Sequence, residues 1–157
     1  AKKYKFLGKK IYDLATLKVL FNNKGQRLKM TIDDKKVEGH YTLCAFCNGS
    51  YYGGGFNPAS NSILNDGKME IVLAEYLTVP EIIRLIPKYK KGQIFEEEKI
   101  KTFRAEKVKI ELTEEINLNI DGELLKDREF DLKINRENLN LAILANLKNK
   151  EQIIELI

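Results

Sequence analysis

The chain has 157 residues, 43% of them hydrophobic and 32% charged, proportions that fit one globular domain with a core of its own. A formal charge of +4 suits an anionic partner but is far too small to single out nucleic acid. No run of about 18 apolar residues marks a membrane span, and the basic opening AKKYKFLGKK has no apolar stretch behind it, so it does not read as a signal peptide.

The chain opens on Ala1 rather than Met, which points to processing or to a piece of a longer protein. Leu7, Ile11, Leu14 and Phe21 recur at helical spacing, so a helix is expected over Leu7–Asn23, with Asn23-Lys24-Gly25 as its stop. The period then changes to two. Leu28, Met30 and Ile32 alternate with Lys29, Thr31 and Asp33, the pattern of a half-buried strand. Asp33-Asp34-Lys35-Lys36 is expected to turn, His40–Phe46 to form a second strand, and Met69–Leu77 a strongly apolar third.

Thr78-Val79-Pro80-Glu81 is a helix start, with Thr78 as N-cap, proline in the first turn and Glu81 completing a capping box. Ile82, Leu85, Ile86 and Tyr89 give that helix one apolar face, and Gly92 ends it. Further strands are expected at Ile100–Ala105, at Val108-Ile110-Leu112, at Ile116-Leu118-Ile120 and at Phe130-Leu132-Ile134, with a short docked helix in the tail Lys148–Ile157. Short strands at this spacing predict a mainly β fold, an antiparallel β-sandwich with one or two flanking helices, formed by residues 1–157 as a single domain.

Cys44 and Cys47 form a CxxC pair. A structural zinc site needs four ligands, yet there is no second CxxC and the single histidine is His40. On a strand, an offset of three also sends the two thiols to opposite faces. The expectation is therefore reduced, partly buried thiols in a cytoplasmic protein. Lysines cluster at Lys2, Lys3, Lys5, Lys9 and Lys10 and again at Lys88, Lys90 and Lys91, either as solvated surface or as a patch for acidic lipid head groups.

The stretch CNGSYYGGGF, residues 47–56, places three glycines beside aromatics. It matches neither a Walker A loop nor a dinucleotide loop, and Pro58 stops an early helix, so a tight irregular crossing between strands is expected. Two Asp-Gly pairs follow, Asp66-Gly67 and Asp121-Gly122, and each reads first as a plain turn. The functional alternatives differ. Asp66 with nearby carbonyls has the chemistry to hold a hard cation such as magnesium or calcium. Asp121 and Glu123, two residues apart on an extended segment, would point the same way and could deprotonate a hydroxyl or hold a metal–phosphate.

The order of these features, an Asn-containing strand end, GGG, Asp-Gly and then Asp121-Gly122-Glu123, resembles the C-terminal domain of the diacylglycerol kinase-like lipid kinases, which include bacterial diacylglycerol kinases and sphingosine kinases. Leu7-Gly8 and the segment KTFRAEKVKIEL are similar to that family too, and the likeness runs from Leu7 to about Leu141. The resemblance implies the C-terminal half of a two-domain NAD kinase/diacylglycerol kinase-like fold, ATP and Mg²⁺ as cofactors, and a diacylglycerol-like lipid as substrate. It implies that Glu123 is the base on the lipid hydroxyl, that Asp121 assists at the nucleotide phosphates or metal, and that Gly122 lies at the cofactor. It further implies a structural magnesium on Asp66 with the carbonyls of Ile63 and Lys68. Ser60 stands where the family commonly has proline, and Asn65 replaces its frequent first aspartate.

The Gly-Gly-Asp-Gly-Thr motif of the family's nucleotide-binding half does not occur here. The chain is thus expected to lack that α/β domain and to be inactive alone, in a parent that is cytoplasmic with peripheral membrane contact. A NAD kinase would share the general plan. The reading from another class is a non-catalytic β-rich module that binds a partner or an anionic membrane surface.

Overall fold

The computed structural model describes residues 25–52, 55–135, 142–143 and 154–155; the helix expected at Leu7–Asn23 lies outside them, as do the first lysine cluster, Gly53 and Gly54. Six strands form one antiparallel sheet: β1 (Gln26–Ile32), β2 (Lys35–Cys47), β3 (Met69–Glu75), β4 (Ile100–Ala105), β5 (Lys107–Ile120) and β6 (Glu123–Lys133), in the order β4-β3-β2-β1-β5-β6. One helix, α1 (Val79–Lys91), joins β3 to β4. The fold is mainly β, as the alternating pattern implies.

The order itself shows that the sheet curls. Only Glu106 separates β4 from β5, yet β3, β2 and β1 lie between them in the sheet. A flat sheet could not bring those two strand ends together. Asp33 marks the junction: its Oδ1 accepts the Glu106 and Lys107 N–H groups, both at 3.1 Å. The bend is built into β2, whose first part pairs with β1 and whose second part pairs with β3, the register shifting between Tyr41 and Leu43. Thr42, at the shift, accepts the Leu77 N–H on its hydroxyl at 2.8 Å. A Cβ at Gly39 would sit 2.6 Å from the Tyr41 hydroxyl, so a larger residue there would force that buried ring to move.

Two apolar layers follow from the curl. Leu28, Met30, Ile32, Ile71, Leu73 and Val108 fill the concave side. On the other side of β3, Ala74 meets Leu77, Ile82 and Leu85 of the α1 region. β3 is therefore buried on both faces, which explains its continuous apolar run. Each fully buried aliphatic side chain here contributes about 1.5–3 kcal/mol.

The boundaries of α1 are those its sequence predicts. The Thr78 N–H and hydroxyl both donate to Glu81 Oε2 at 2.7 Å. At the other end Gly92 takes φ 69°, its N–H reaches the Tyr89 carbonyl at 3.4 Å, and the Gln93 N–H reaches the Lys88 carbonyl at 2.9 Å. That is a Schellman closure, which glycine alone enters without strain. Pro87 lies inside the helix and leaves the Ile83 carbonyl without its helical donor, on the exposed side.

Several boundaries differ from expectation; β6, for one, begins at Glu123 rather than near Phe130. The first turn is only Asp33-Asp34, and Lys35 and Lys36 begin β2. The two strands expected around Leu112 and Ile116 are one, β5, because Thr113-Glu114-Glu115 contains no breaker; a register shift against β6 absorbs the change of phase. In the tail, Ile154–Glu155 pair with Ala142–Ile143 as short antiparallel strands rather than helix. The rest of the tail lies outside the described residues.

Candidate functional site

Asp121-Gly122-Glu123 is the tip of the β5–β6 hairpin. β1 pairs with β5 only as far as Leu112, so from Ile116 onward the two strands run out as a ribbon paired to each other. Asp121 has φ 49° and Gly122 φ 104°, the positive values that a two-residue hairpin turn with right-handed twist demands. The Gly122 N–H closes the turn on Asn119 Oδ1 at 3.0 Å. This corrects one expectation. Asp121 is not on an extended segment, so the rule that residues two apart share a face does not apply to it and Glu123. Nothing lies within 4 Å of where a Gly122 Cβ would stand, so the glycine answers to its backbone angle rather than to a close neighbour. All three residues are exposed, and neither carboxylate takes a hydrogen bond or ion pair from another described residue. Ile120, Leu124 and Leu125 beside them are exposed too, at 47%, 69% and 51%.

Asp66 sits elsewhere, in the loop that leads into β3. Its Oδ1 accepts the Lys68 N–H at 2.9 Å, and its Oδ2 is paired with Arg104 Nη2. Arg104 also reaches Glu70, Nε to Oε1 at 2.6 Å, directly across the β3–β4 ladder. Burial pushes the Glu70 carboxyl up; Arg104 pulls against this, and Asp66 adds to it. Magnesium asks for near-octahedral oxygen at about 2.0–2.1 Å. Asp66 offers one carboxylate, with an N–H on one oxygen and a guanidinium on the other. Both Asp66 oxygens are thus already engaged by the chain's own donors. No hydrogen bond or ion pair among the described residues joins Asp66 to Asp121 or Glu123.

The residues that flank the glycine stretch are clasped to each other. Tyr52 and Phe56 exchange backbone hydrogen bonds, both 3.1 Å, across the triplet, and Gly55 takes φ 94°. The clasp rests on the end of α1, where the Tyr52 hydroxyl meets that of Tyr89 at 2.8 Å and Phe56 packs 5.7 Å from the Tyr89 ring. Burial raises the Tyr89 phenol well above its ordinary value. Phe56 and Tyr89 also line an apolar cavity of about 60 Å³ between α1 and the sheet, together with Leu43, Val72, Leu85 and Ile100.

Cys44 and Cys47 are free. Burial pushes Cys44 up to about 12; burial, with Glu70 adding, pushes Cys47 up to about 11. Thiols so placed stay protonated at neutral pH and are poor nucleophiles. The residues that sequence reasoning missed are Glu70 and the role of Arg104. Their signal was available: a carboxylate inside the apolar run MEIVLA needs a buried partner.

Residues 1–143 match the family model of the YegS C-terminal NAD kinase beta sandwich-like domain. A Staphylococcus carnosus protein named "putative lipid kinase" is 26% identical over 143 residues, which are 90% of this chain and 46% of that protein. A crystal structure of a "putative diacylglycerol kinase" from Bacillus anthracis superposes with a TM-score of 0.62 at 25% identity, covering 78% of this chain and 40% of that one. A further diacylglycerol kinase structure from the same organism gives a TM-score of 0.57 at 23% identity, over 76% and 46% of the two chains. The chain thus spans under half the length of each of these relatives.

Proposed function

This chain belongs to the family of YegS C-terminal NAD kinase β-sandwich-like domains, and from that premise we propose that the protein containing it is an ATP-dependent lipid kinase. The hydroxyl oxygen of diacylglycerol or a related lipid attacks the ATP γ-phosphorus, the bond to the bridging oxygen breaks, and ADP leaves. Glu123 receives the hydroxyl proton, and Asp121, on the other side of Gly122, faces the nucleotide phosphates. Mg²⁺ bound with the nucleotide would neutralise charge on those phosphates.

The observation that carries this reading is the hairpin tip: two exposed carboxylates, unengaged by described neighbours, between exposed Ile120, Leu124 and Leu125. A general base must lie within hydrogen-bond reach of its proton, and a lipid hydroxyl arrives with apolar surface around it. The nucleotide is the task of the rest of the parent, which is why this chain alone is proposed to transfer nothing: positioning of the phosphates is most of phosphoryl-transfer catalysis. The protein is proposed to work from the cytoplasmic side, in peripheral contact with the membrane that holds its substrate.

The test is transfer of radiolabelled γ-phosphate from ATP by the intact protein to diacylglycerol or a sphingoid base in mixed micelles. Lipid-dependent labelling supports the reading, and labelling of NAD instead would move the protein to the other branch of the fold. The non-catalytic reading rests on Lys88, Lys90 and Lys91 in the last turn of α1. Salt-sensitive sedimentation with acidic liposomes, without lipid phosphorylation, would favour it.

A further inference from the structure

We propose that the Arg104 guanidinium is the built-in cation of the Asp66 turn, and that this turn needs no divalent metal. The proposal stands whether or not the parent phosphorylates a lipid. Two carboxylates meet at this point. Glu70 is 8% exposed and sits in an otherwise apolar strand, and Asp66 reaches it from the preceding loop. Buried or half-buried carboxylates so close together require a positive partner.

Arg104 meets that need from β4. Its Nε lies 2.6 Å from Glu70 Oε1 as an ion pair, its Nη2 pairs with Asp66 Oδ2, and the cross-strand register holds Arg104 opposite Glu70. The guanidinium is planar, permanently charged and delivers two donors in fixed geometry, so one side chain serves both acids. The second Asp66 oxygen closes an Asx turn on the Lys68 N–H. A divalent ion on the same carboxylate would face the guanidinium at close range, and magnesium gives up its water reluctantly. Asn65 in front of Asp66 brings no further charge to attract one. The loop that ends at Gly67 is therefore fixed to the β3–β4 ladder by the chain's own cation.

Thermal unfolding of the intact, nucleotide-free protein tests this, in EDTA and in millimolar MgCl₂. The expected result is a wild-type response to MgCl₂ that Asp66→Asn does not change. Arg104→Gln should lower the midpoint in EDTA by about 2–8 °C, and MgCl₂ should restore part of that loss, because Asp66 and Glu70 are then left without their cation. An Arg104→Gln protein as stable as the wild type overturns the proposal. So does a midpoint increase with MgCl₂ that is present in the wild type and absent in Asp66→Asn. An increase of the same size in both comes from magnesium bound elsewhere and upholds it. That comparison decides the matter even if Arg104→Gln fails to fold.

Discussion

Gly92→Ala probes how α1 is seated over the sheet. Gly92 has φ 69° and ψ 27°, a conformation that costs an L-residue about 1 kcal/mol or more. Space is short as well. An added Cβ would stand 2.7 Å from Ser60 Cβ, 3.0 Å from Asn57 Nδ2 and 3.1 Å from Ser60 Oγ, against about 3.5–4.0 Å for a relaxed carbon contact. Ser60 could rotate its hydroxyl but not its Cβ, and Asn57 is 7% exposed, so the loop itself must shift. Overpacking of this kind costs about 1–3 kcal/mol. The sum is about 2–4 kcal/mol, read as a shift in the urea midpoint at constant slope. Ser60→Gly removes the two Ser60 contacts along with the hydrogen bond from Ser60 Oγ to the Gly92 carbonyl, so in a Ser60→Gly background Gly92→Ala should cost about 1 kcal/mol less than it does in the wild type. A Gly92→Ala cost below about 0.5 kcal/mol, or an equal cost in the Ser60→Gly background, would refute the reasoning.

Two further outcomes follow from the charge and burial described above. The Glu81 carboxyl is held down at about 2, from an ordinary 4.5, by its hydrogen bond from Lys99 and then by those from Thr78. A depressed acid contributes its stability above the unfolded value and loses it as pH falls through the folded one. The stability gap between wild type and Glu81→Gln should therefore be full above pH 4.5 and vanish towards pH 2; a gap constant across that range contradicts the assignment. Cys44 and Cys47, raised to about 12 and about 11 mainly by burial, should label slowly with a disulfide reagent at pH 8 and at once in denaturant. Rapid labelling of the native protein would show that either thiol is open to solvent.

Much of this fold was legible in the chain because its signals are local. Thr78, Glu81 and Gly92 determine α1 through caps that act within one turn, and Asp121-Gly122 determines a hairpin through backbone angles alone. The curl of the sheet was not legible. It depends on β2 changing partner at Thr42 and on β4 meeting β5 across Glu106, and no residue nearby announces either event. The same limit applied at the candidate sites. Asp121 and Glu123 were found as a pair, but their relative direction required the positive φ at Asp121. Asp66 was marked as a cation ligand, while its cation, Arg104, lies far away in sequence and arrives only through the β3–β4 register.

The central claim concerns Glu123, and the most direct measurement is kcat for lipid phosphorylation by the intact protein carrying Glu123→Gln. The side chain is exposed and engages no described neighbour, so the unfolding midpoint should not change. Loss of a general base should lower kcat by about 10²–10⁴-fold with KM for the lipid little altered. An undiminished kcat in a folded Glu123→Gln protein would contradict the account.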